Sequence, residues 1–178
     1  MLTLVAALAV AEAIKDVTGL DARIKWPNDI VINGKKICGI LTEMSAQFDY
    51  INHIVIGIGI NVHNEAFPEE ISAVAGSILL ESGGRRFRRA EIIERTLEHF
   101  EEYYEIYLQT EDLSALTADY NALLVNMNKQ VKVLDPKDEF EGKAMGITAK
   151  GELIVDTWES RKLVSSGEVS VRGIYGYV

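Results

Sequence analysis

The stretch IKWPNDIVINGKKICGI, residues 24–40, places polar groups inside two runs that are otherwise apolar. Asn28 and Asp29 follow Pro27, and Lys36 is the second of two adjacent lysines. An Asx turn after Pro27 would account for Asn28 and Asp29 without any ligand, and a solvated hairpin would account for Lys36. The alternative is that these groups are polar anchors and a cation that face a bound molecule.

The run VIGIGINV, residues 55–62, carries Gly57 and Gly59 at alternate positions. Glycine weakens a strand because it loses more entropy on folding and offers no side chain to pack. Two alternating glycines therefore indicate that something approaches the backbone on that face. The run is not a dinucleotide-binding fingerprint, because a third glycine is missing at the required spacing and no helix follows. Asn61 is either a turn residue or a polar anchor.

Composition excludes several classes of protein. With 178 residues, 48% of them hydrophobic, the chain can bury a core as one large domain or as one medium domain with a small companion. A formal net charge of -9 opposes non-specific binding to nucleic acid, and we interpret the arginine-rich run at 85–89 as a solvated turn. The single cysteine, Cys38, forms no internal disulfide, and no zinc-ligand spacing is visible, so we expect a cytoplasmic protein.

The elements that must position these residues begin with a largely buried helix over 2–17, with Gly19 as its stop signal. The sequence then predicts a strand broken at Pro27, a tight turn at Asn33-Gly34, and a returning strand. The β-branched run 51–63 predicts a buried central strand.

A loop with short helical pieces is expected over 64–87, and the clearest amphipathic helix of the chain is expected over 89–110. The apolar residues of that helix recur at helical spacing: Ile92, Ile93, Leu97, Phe100, Tyr104 and Leu108. Residues 112–124 predict another helix, capped by Asp112 or Thr110. From residue 128, short β-type runs alternate with turn signals, the pattern of a small all-β barrel, so we place a domain boundary near 126–129.

In this order and spacing, KWPND, GKKICGILTE and IVIGIGINV resemble the catalytic domain of biotin protein ligases, and GEVSVRG is similar to the last strand of that family's SH3-like domain. The resemblance implies an α/β (α+β) fold with a mixed sheet and packed helices, followed by a small all-β SH3-like barrel. It implies a catalytic-domain portion over 1–127 and an SH3-like domain over 128–178.

The resemblance also implies an activity. Biotin and MgATP would give biotinyl-5′-adenylate and pyrophosphate, and a lysine of a biotin carboxyl carrier domain would then take the biotinyl group. Biotin is the substrate, and ATP and Mg²⁺ are the cofactors. A lysine ammonium between the attacking carboxylate and the α-phosphorus offsets the repulsion of the two anions.

Position within these motifs implies the site residues. Lys36 is the catalytic cation, and the resemblance assigns six residues to biotin: Lys36, Gly39, Leu41, Gly57, Gly59 and Ile60. It assigns four residues to the nucleotide: Asn28, Asp29, Asn61 and Arg172. Asp29 could also hold water ligands of magnesium, and Glu168 would hold a covering loop. Trp26 and Pro27 are assigned to packing and chain direction, and Lys25 is a second cation whose role stays open.

The chain departs from the family at its beginning, where no glycine- and arginine-rich loop matches. We therefore expect a truncated catalytic domain that exposes a sheet edge and forms a homodimer through it, exchanges a segment with a second copy, or is one piece of a longer gene product. Activity of the isolated chain is doubtful on this basis, and neither DNA binding nor membrane insertion is expected. The alternative is a non-catalytic binding or assembly module with the ligase fold. A relative of lipoate or octanoate transferases is disfavoured, because the barrel and the paired motifs belong to the biotin branch.

Overall fold

The computed structural model describes residues 1–134, 138–167, 170–174 and 176–178. Its helices are α1 Leu2–Thr18, α2 Glu69–Ser72, α3 Ile78–Glu81, α4 Arg89–Thr110 and α5 Thr117–Leu123. None of the helices in these ranges is long and apolar enough to cross a membrane.

Two antiparallel sheets carry the nine strands of the described residues. The first sheet has the order β1-β2-β3-β4, with strands β1 Arg23–Lys25, β2 Asp29–Ile32, β3 Lys35–Ala46 and β4 Ile51–Ile60. The second has the order β8-β7-β6-β5-β9, with strands β5 Gln130–Leu134, β6 Phe140–Ile147, β7 Leu153–Asp156, β8 Arg161–Val164 and β9 Ser170–Gly173. The α/β class is confirmed, but the mixed character predicted for the sheet is limited to two isolated parallel bridges, Ile24↔Leu124 and Lys36↔Ala75.

Helix α1 is the centre of the core. Eleven of its residues are buried, including Leu8, Val10 and Ile14. The helix ends at Gly19, whose φ of 74° is a left-handed conformation that glycine adopts without steric cost. The predicted buried helix and its stop signal are both confirmed.

The predicted hairpin is present with the predicted turn. Asn33 and Gly34 both have positive φ, 51° and 78°, as a two-residue turn between twisted strands requires. The register of β2 against β3 shifts between Ile30 and Val31, which is a β-bulge just before the turn. Bulges of this kind redirect side chains, and this one lies next to Lys36.

The prediction of a buried central strand at 51–63 is wrong. Strand β4 pairs with β3 alone among the described residues, so it is an edge of the first sheet, and most of its residues are exposed. An apolar run rich in β-branched residues predicts a strand, but the number of neighbours that cover it depends on contacts from elsewhere.

Helix α4 matches the predicted boundaries but not the predicted core face. Ile92 and Thr96 are its buried residues, whereas Ile93, Leu97 and Leu108 are exposed. The next helix, α5, begins after the predicted caps: Asp112 instead accepts a hydrogen bond from Ser114 N–H at 2.8 Å in the preceding turn.

One continuous core joins the two halves of the chain. Residues of the first sheet, α1, α5 and the second sheet belong to the same buried cluster. The indole N–H of Trp26 donates to the carbonyl of Gly151 at 3.0 Å, across 125 residues of sequence. The packing role predicted for Trp26 thus includes a link between the two halves.

An ion-pair cluster fastens α4 to the end of α1. Asp16 accepts hydrogen bonds from His99 Nε2 at 2.9 Å and Arg95 Nη2 at 2.8 Å. These contacts, with His99 first and Arg95 next, lower the pKa of Asp16. A carboxyl with a lowered pKa in the folded state stabilises the fold above its unfolded pKa of about 4, and this contribution is lost as pH falls.

We expect Asp16→Asn to reduce the free energy of unfolding by about 0.5–1 kcal/mol at pH 7, the scale of a partly exposed ion pair. Urea unfolding at several pH values measures this difference, which should shrink toward zero below pH ~4. Glu94→Gln, on the exposed face of the same helix, is the control. A penalty that stays constant between low and neutral pH would contradict this origin.

Candidate functional site

A cavity of about 480 Å³ opens between the first sheet, the loop that carries α2, and β9 with the residues after it. Its charged lining comes from three basic side chains and one carboxylate, and much of its apolar lining comes from the loop. The lining residues are Lys25, Asp29, Lys36, Cys38, Gly39, Gly59, Asn61, Phe67, Ile71, Val74, Ala75, Ser170, Arg172 and Tyr177. Charged groups and apolar groups therefore meet in one space.

Lys36 is held by its backbone at the start of β3. Its N–H donates to Val74 O at 2.7 Å, and its carbonyl accepts from Gly76 N–H at 2.9 Å. These bonds join the strand to the loop on the side away from β2. Because the backbone is fixed on both sides, the side chain leaves from a defined point, and it is 41% exposed and lines the cavity.

The ammonium of Lys36 lies 2.5 Å from Asp29 Oδ1, forming an ion pair on the cavity wall. Gly39 makes room for it, because a Cβ at that position would lie 3.2 Å from the Lys36 ammonium. Asp29 and Gly39 are direct partners in the β2–β3 register. The structure thus gives Gly39 a steric reason to be glycine: the lysine passes over it.

Gly59 faces Gly39 across the β3–β4 ladder and also lines the cavity. A Cβ on Gly59 or Gly57 would meet its nearest atom at ordinary contact distance, 3.8 or 3.7 Å. Packing within the described chain therefore does not require glycine at either position. Since packing does not explain these glycines, the close approach of a ligand to the strand is the remaining explanation for them. Gly57 and Ile60 lie outside the cavity lining.

The cavity is a local basic site in an acidic protein. Lys25, Lys36 and Arg172 face it together with Asp29, so its formal charge is +2 from three cations and one carboxylate, against -9 for the whole chain. Lys25 is only 5% exposed. Burial lowers the pKa of Lys25, while Asp29 opposes that shift. Such a site attracts an anion that approaches through an otherwise repulsive field.

Cys38 lies in the same wall but is chemically quiet. It is buried, and burial raises the pKa of its thiol to about 12. The thiolate is the reactive form of cysteine, so at neutral pH this side chain serves as apolar lining.

Two predicted residues face a different hollow. Asn28 and Leu41 line a neighbouring hollow with Thr3 and Ser166, further along β3 from Lys36. Asn28 Nδ2 donates to Ile40 O at 3.0 Å, which holds β3 beside the Pro27 turn in place of an Asx turn.

Of two further predicted residues, Asn61 lies in the main cavity and Glu168 is not among the described residues. Asn61 lines the main cavity and donates from Nδ2 to Gly76 O at 3.1 Å, so its carbonyl oxygen is free of that bond. The predicted role of Glu168 lies outside the described residues.

Sequence reasoning missed several contributors to the cavity. Phe67, Ile71 and Val74 supply apolar wall from a loop that carried no chemical signal, and Tyr177 reaches Asp29 from the end of the described chain. Lys25, left open from sequence, belongs to the cation group. A charged residue inside an apolar run was the one signal that could have indicated it.

Arginine groups of the run 85–89 are engaged locally. Arg86 pairs with Glu65 at 2.7 Å, Arg88 with Glu91 at 3.2 Å, and Arg85 lies over the ring of Phe87 at 5.0 Å. These contacts agree with the interpretation as a solvated turn.

Among the residues that the structure describes, no group of three or more His, Cys, Asp or Glu side chains could hold a metal ion. Of the carboxylates in the described part of the chain, Asp29 alone lines the cavity. Mg²⁺ is commonly bound by one or two carboxylates together with substrate phosphates. The donor set therefore fits a magnesium ion that arrives with a nucleotide, and it does not fit a resident metal.

A cavity with an apolar wall, a glycine-lined strand and a +2 cation group defines a class of protein that binds a molecule with an uncharged part and an anionic part. Family models agree with a more specific class. "Biotin/lipoate A/B protein ligase family" matches residues 1–61, and "Biotin protein ligase C terminal domain" matches residues 127–172.

Individual relatives agree as well. The chain is 37% identical over 172 residues to the bifunctional ligase/repressor BirA of Bacillus subtilis, covering 96% of this chain and 52% of that protein. It is 32% identical to the biotin--[acetyl-CoA-carboxylase] ligase of Mycobacterium tuberculosis, covering 94% and 61%. It thus spans about half the length of the first curated relatives that it matches.

The fold matches a solved enzyme over a larger share. The biotin protein ligase of Aquifex aeolicus, in complex with biotin and ATP, superposes with a TM-score of 0.83 at 30% identity, covering 97% of this chain and 71% of that one. The chain belongs to the biotin protein ligase family, and the resemblance stated from the motifs is confirmed.

Proposed function

We propose that the chain carries the chemistry of a biotin protein ligase: it activates biotin with MgATP and passes the biotinyl group to a lysine of a biotin carboxyl carrier protein. The carrying observation is the Lys36 ammonium, 2.5 Å from Asp29, in a cavity lined by Gly39 and Gly59. The relatives named above are ligases by their printed names, which supports the same class of reaction here.

In the first step an oxygen of the biotin carboxylate attacks the α-phosphorus of ATP. The new bond is a carboxyl–phosphate anhydride, and the bond to the β-phosphate breaks so that pyrophosphate leaves. Two anions must meet for this to happen. The charge of Lys36 lies where it can offset their repulsion and stabilise the charge that develops on the transferring group.

The surrounding cations and amide divide the remaining work. In this proposal Lys25 and Arg172, which line the cavity, bind phosphate oxygens, and Asn61, whose Nδ2 donates to Gly76 O, accepts from an adenine amino group with its side-chain carbonyl. Asp29 would help to hold Mg²⁺, which would neutralise phosphate charge. Gly39 and Gly59 leave a flat strand surface for the uncharged bicyclic ring.

The proposal still predicts biotin contacts at Leu41, Gly57 and Ile60. It also predicts a nucleotide contact at Asn28. Leu41 and Asn28 line the neighbouring hollow, and Leu41 shares the face of β3 that carries Gly39, so biotin contact at Leu41 requires the ligand to extend along that face. Gly57 continues the alternation of Gly59 along β4. Soaking biotin into crystals of the chain would decide which of these side chains it touches.

In the second step the uncharged amine of a carrier lysine attacks the acyl carbon, and AMP leaves.

The proposal also includes a homodimer through the edge strand β4, whose outer edge is not paired among the described residues. Residues 1–127 would be the catalytic portion and residues 128–178 the SH3-like domain, in a protein of the cytoplasm. The match of the C-terminal family model from residue 127 supports that boundary.

Calorimetric titration of the chain with biotin, with ATP and with a non-hydrolysable biotinyl-adenylate mimic tests the proposal. We expect the mimic to bind most tightly, at micromolar Kd or below, because it satisfies the apolar and the cationic parts of the cavity at once. Biotin and ATP should each bind more weakly. No heat with any of the three ligands would reject the ligase function.

That negative result would favour the second candidate, a binding or assembly module that keeps the fold alone. Apolar side chains exposed on β3 and β4 support this alternative: Leu41, Met44, Ile54, Val55 and Ile58. Leu41 and Val55 lie on one face of the β3–β4 pair and Met44, Ile54 and Ile58 on the other, and exposed apolar side chains clustered at a sheet edge are typical of an interaction surface. Sedimentation of the ligand-free chain at several concentrations would measure self-association through it.

A further inference from the structure

The residues that follow β9 fold back onto the hairpin that precedes Lys36. Gly176 N–H donates to Gly173 O at 3.3 Å, and the two residues form an isolated bridge. A Cβ on Gly173 would clash with the carbonyl of Val178, so this return needs glycine. Val178 Cγ2 would lie 3.3 Å from a Cβ on Gly34, in the hairpin turn. Gly173 and Val178 are therefore both packed against other parts of the chain.

Tyr177 in this segment reaches the cation group of the cavity. Its hydroxyl donates a hydrogen bond to Asp29 Oδ2, across 148 residues of sequence. Its ring lies 4.3 Å from the ammonium of Lys25, a cation–π distance. One side chain thus contacts both an anion and a cation of the cavity wall.

We propose that Tyr177 is a positioning residue of this cavity: its hydroxyl fixes the Asp29 carboxylate, and that carboxylate in turn holds the Lys36 ammonium in place. The inference rests on the proposed ligase function and adds to it a residue from outside the sequence motifs. No group of Tyr177 takes part in bond making.

The orientation of Asp29 depends on its partners, because the terminal torsion of a carboxylate has a broad and weak preference. Oδ1 approaches Lys36 at 2.5 Å but makes no aligned hydrogen bond among the described residues. The hydrogen bond from Tyr177 is therefore the directional contact on this carboxylate. Without it, the carboxylate can rotate and the lysine follows it.

The surroundings of Tyr177 raise the pKa of its phenol. Burial, and then the adjacent Asp29 carboxylate, raise the pKa of its phenol well above the usual value near 10. The hydroxyl donates this hydrogen bond, and a carboxylate oxygen of Asp29 accepts it. The ring also covers Lys25, so the apolar part of Tyr177 shields that cation. Its hydroxyl orients Lys36 through Asp29.

Tyr177→Phe removes the hydroxyl and keeps the ring over Lys25. By calorimetry we expect the variant to bind the biotinyl-adenylate mimic about tenfold more weakly, the scale of a lost hydrogen bond to a charged group. The affinity for biotin alone should change by less than about twofold, because only its carboxylate meets Lys36, whereas its uncharged ring lies against the glycine strand. Tyr104→Phe, on α4 and outside the cavity lining, is the matched control.

A double-mutant cycle separates positioning from general loss of stability. If Tyr177 acts through Asp29, then Tyr177→Phe should have no further effect on mimic affinity in an Asp29→Asn background. Additive effects of the two changes would overturn the inference. Equal loss of affinity for biotin and for the mimic would also overturn it, since a disturbed fold affects both.

The outcomes distinguish this inference from the function on which it rests. If the unsubstituted chain binds neither ligand, the ligase function is rejected together with the role of Tyr177. If the unsubstituted chain binds the mimic and Tyr177→Phe binds it equally well, only the role of Tyr177 is rejected. Thermal denaturation of each variant verifies that it is folded at the temperature of the titration.

Discussion

Lys36→Ala is expected to slow formation of biotinyl-adenylate by a factor of about 10²–10³, close to 3–4 kcal/mol of transition-state stabilisation. The side chain lies in a cavity of formal charge +2, beside a carboxylate that fixes its position. Its contribution rises as negative charge develops between the carboxylate and the leaving pyrophosphate. The loss should therefore appear in the rate of the chemical step more than in the affinity for biotin.

Lys35→Ala is the matched control for this effect. The two lysines are neighbours, but Lys35 Nζ donates to Ser72 O at 2.8 Å and lies outside the cavity lining. We expect Lys35→Ala to retain the rate within about twofold, because removal of an exposed charge outside the site has a small effect.

Single-turnover release of pyrophosphate, with the enzyme in excess over ATP, measures the chemical step directly. Mimic binding gives a second readout, since Lys36→Ala also leaves Asp29 without its cation and lowers the charge of the cavity to +1. A rate for Lys36→Ala within threefold of that for Lys35→Ala would remove Lys36 from the mechanism.

Local steric rules explain why part of the fold could be predicted from the sequence. The hairpin turn at Asn33-Gly34 and the helix end at Gly19 each depend on the backbone angles of one or two residues. Such signals are contained in the adjacent sequence, and both predictions are confirmed. Helix α4 was likewise predicted with its correct bounds, because a 22-residue periodic run is long enough to be unambiguous.

Burial of these elements could not be predicted in the same way. Strand β4 is apolar enough for the centre of a sheet, and the exposed side of α4 carries Ile93, Leu97 and Leu108. Hydrophobic periodicity shows which face prefers a partner. It does not show whether the described chain supplies one.

The candidate site divides along the same line. Lys36, Asp29 and Gly39 are close in sequence and come together through one hairpin and one bulge, so motif spacing could indicate them. Tyr177 meets Asp29 only because the second sheet returns the chain to the first. A contact across 148 residues leaves no local pattern.

Trp26→Ala is expected to produce the largest loss of stability in the chain, about 3–5 kcal/mol. Trp26 is 1% exposed and its indole N–H donates to Gly151 O at 3.0 Å. The substitution leaves a large cavity and an unpaired carbonyl at the point where the two halves of the core meet. Since folded domains are stable by only about 5–15 kcal/mol, the loss is a large part of the total.

Gly151 shows why the surrounding residues cannot collapse easily into that space. A Cβ on Gly151 would lie 3.0 Å from Leu4 and 3.2 Å from Leu113, and its φ is +80°. The turn is thus already inserted tightly between α1 and the residues before α5, and its backbone conformation is restricted. Relaxation toward the cavity would require the turn to move as a unit.

Urea unfolding followed by far-ultraviolet circular dichroism measures the change, and Trp158→Ala is the matched control. Both substitutions remove an indole, but Trp158 is 92% exposed, so its removal should change the free energy of unfolding by less than about 0.5 kcal/mol. Trp26→Phe retains most of the ring and loses the N–H, and we expect an intermediate loss of about 1–2 kcal/mol.

Because the core is continuous through Trp26, the two halves should unfold in a single transition in the unsubstituted chain. Two separate transitions there, or equal losses for Trp26→Ala and Trp158→Ala, would contradict the role of Trp26 as the link between them.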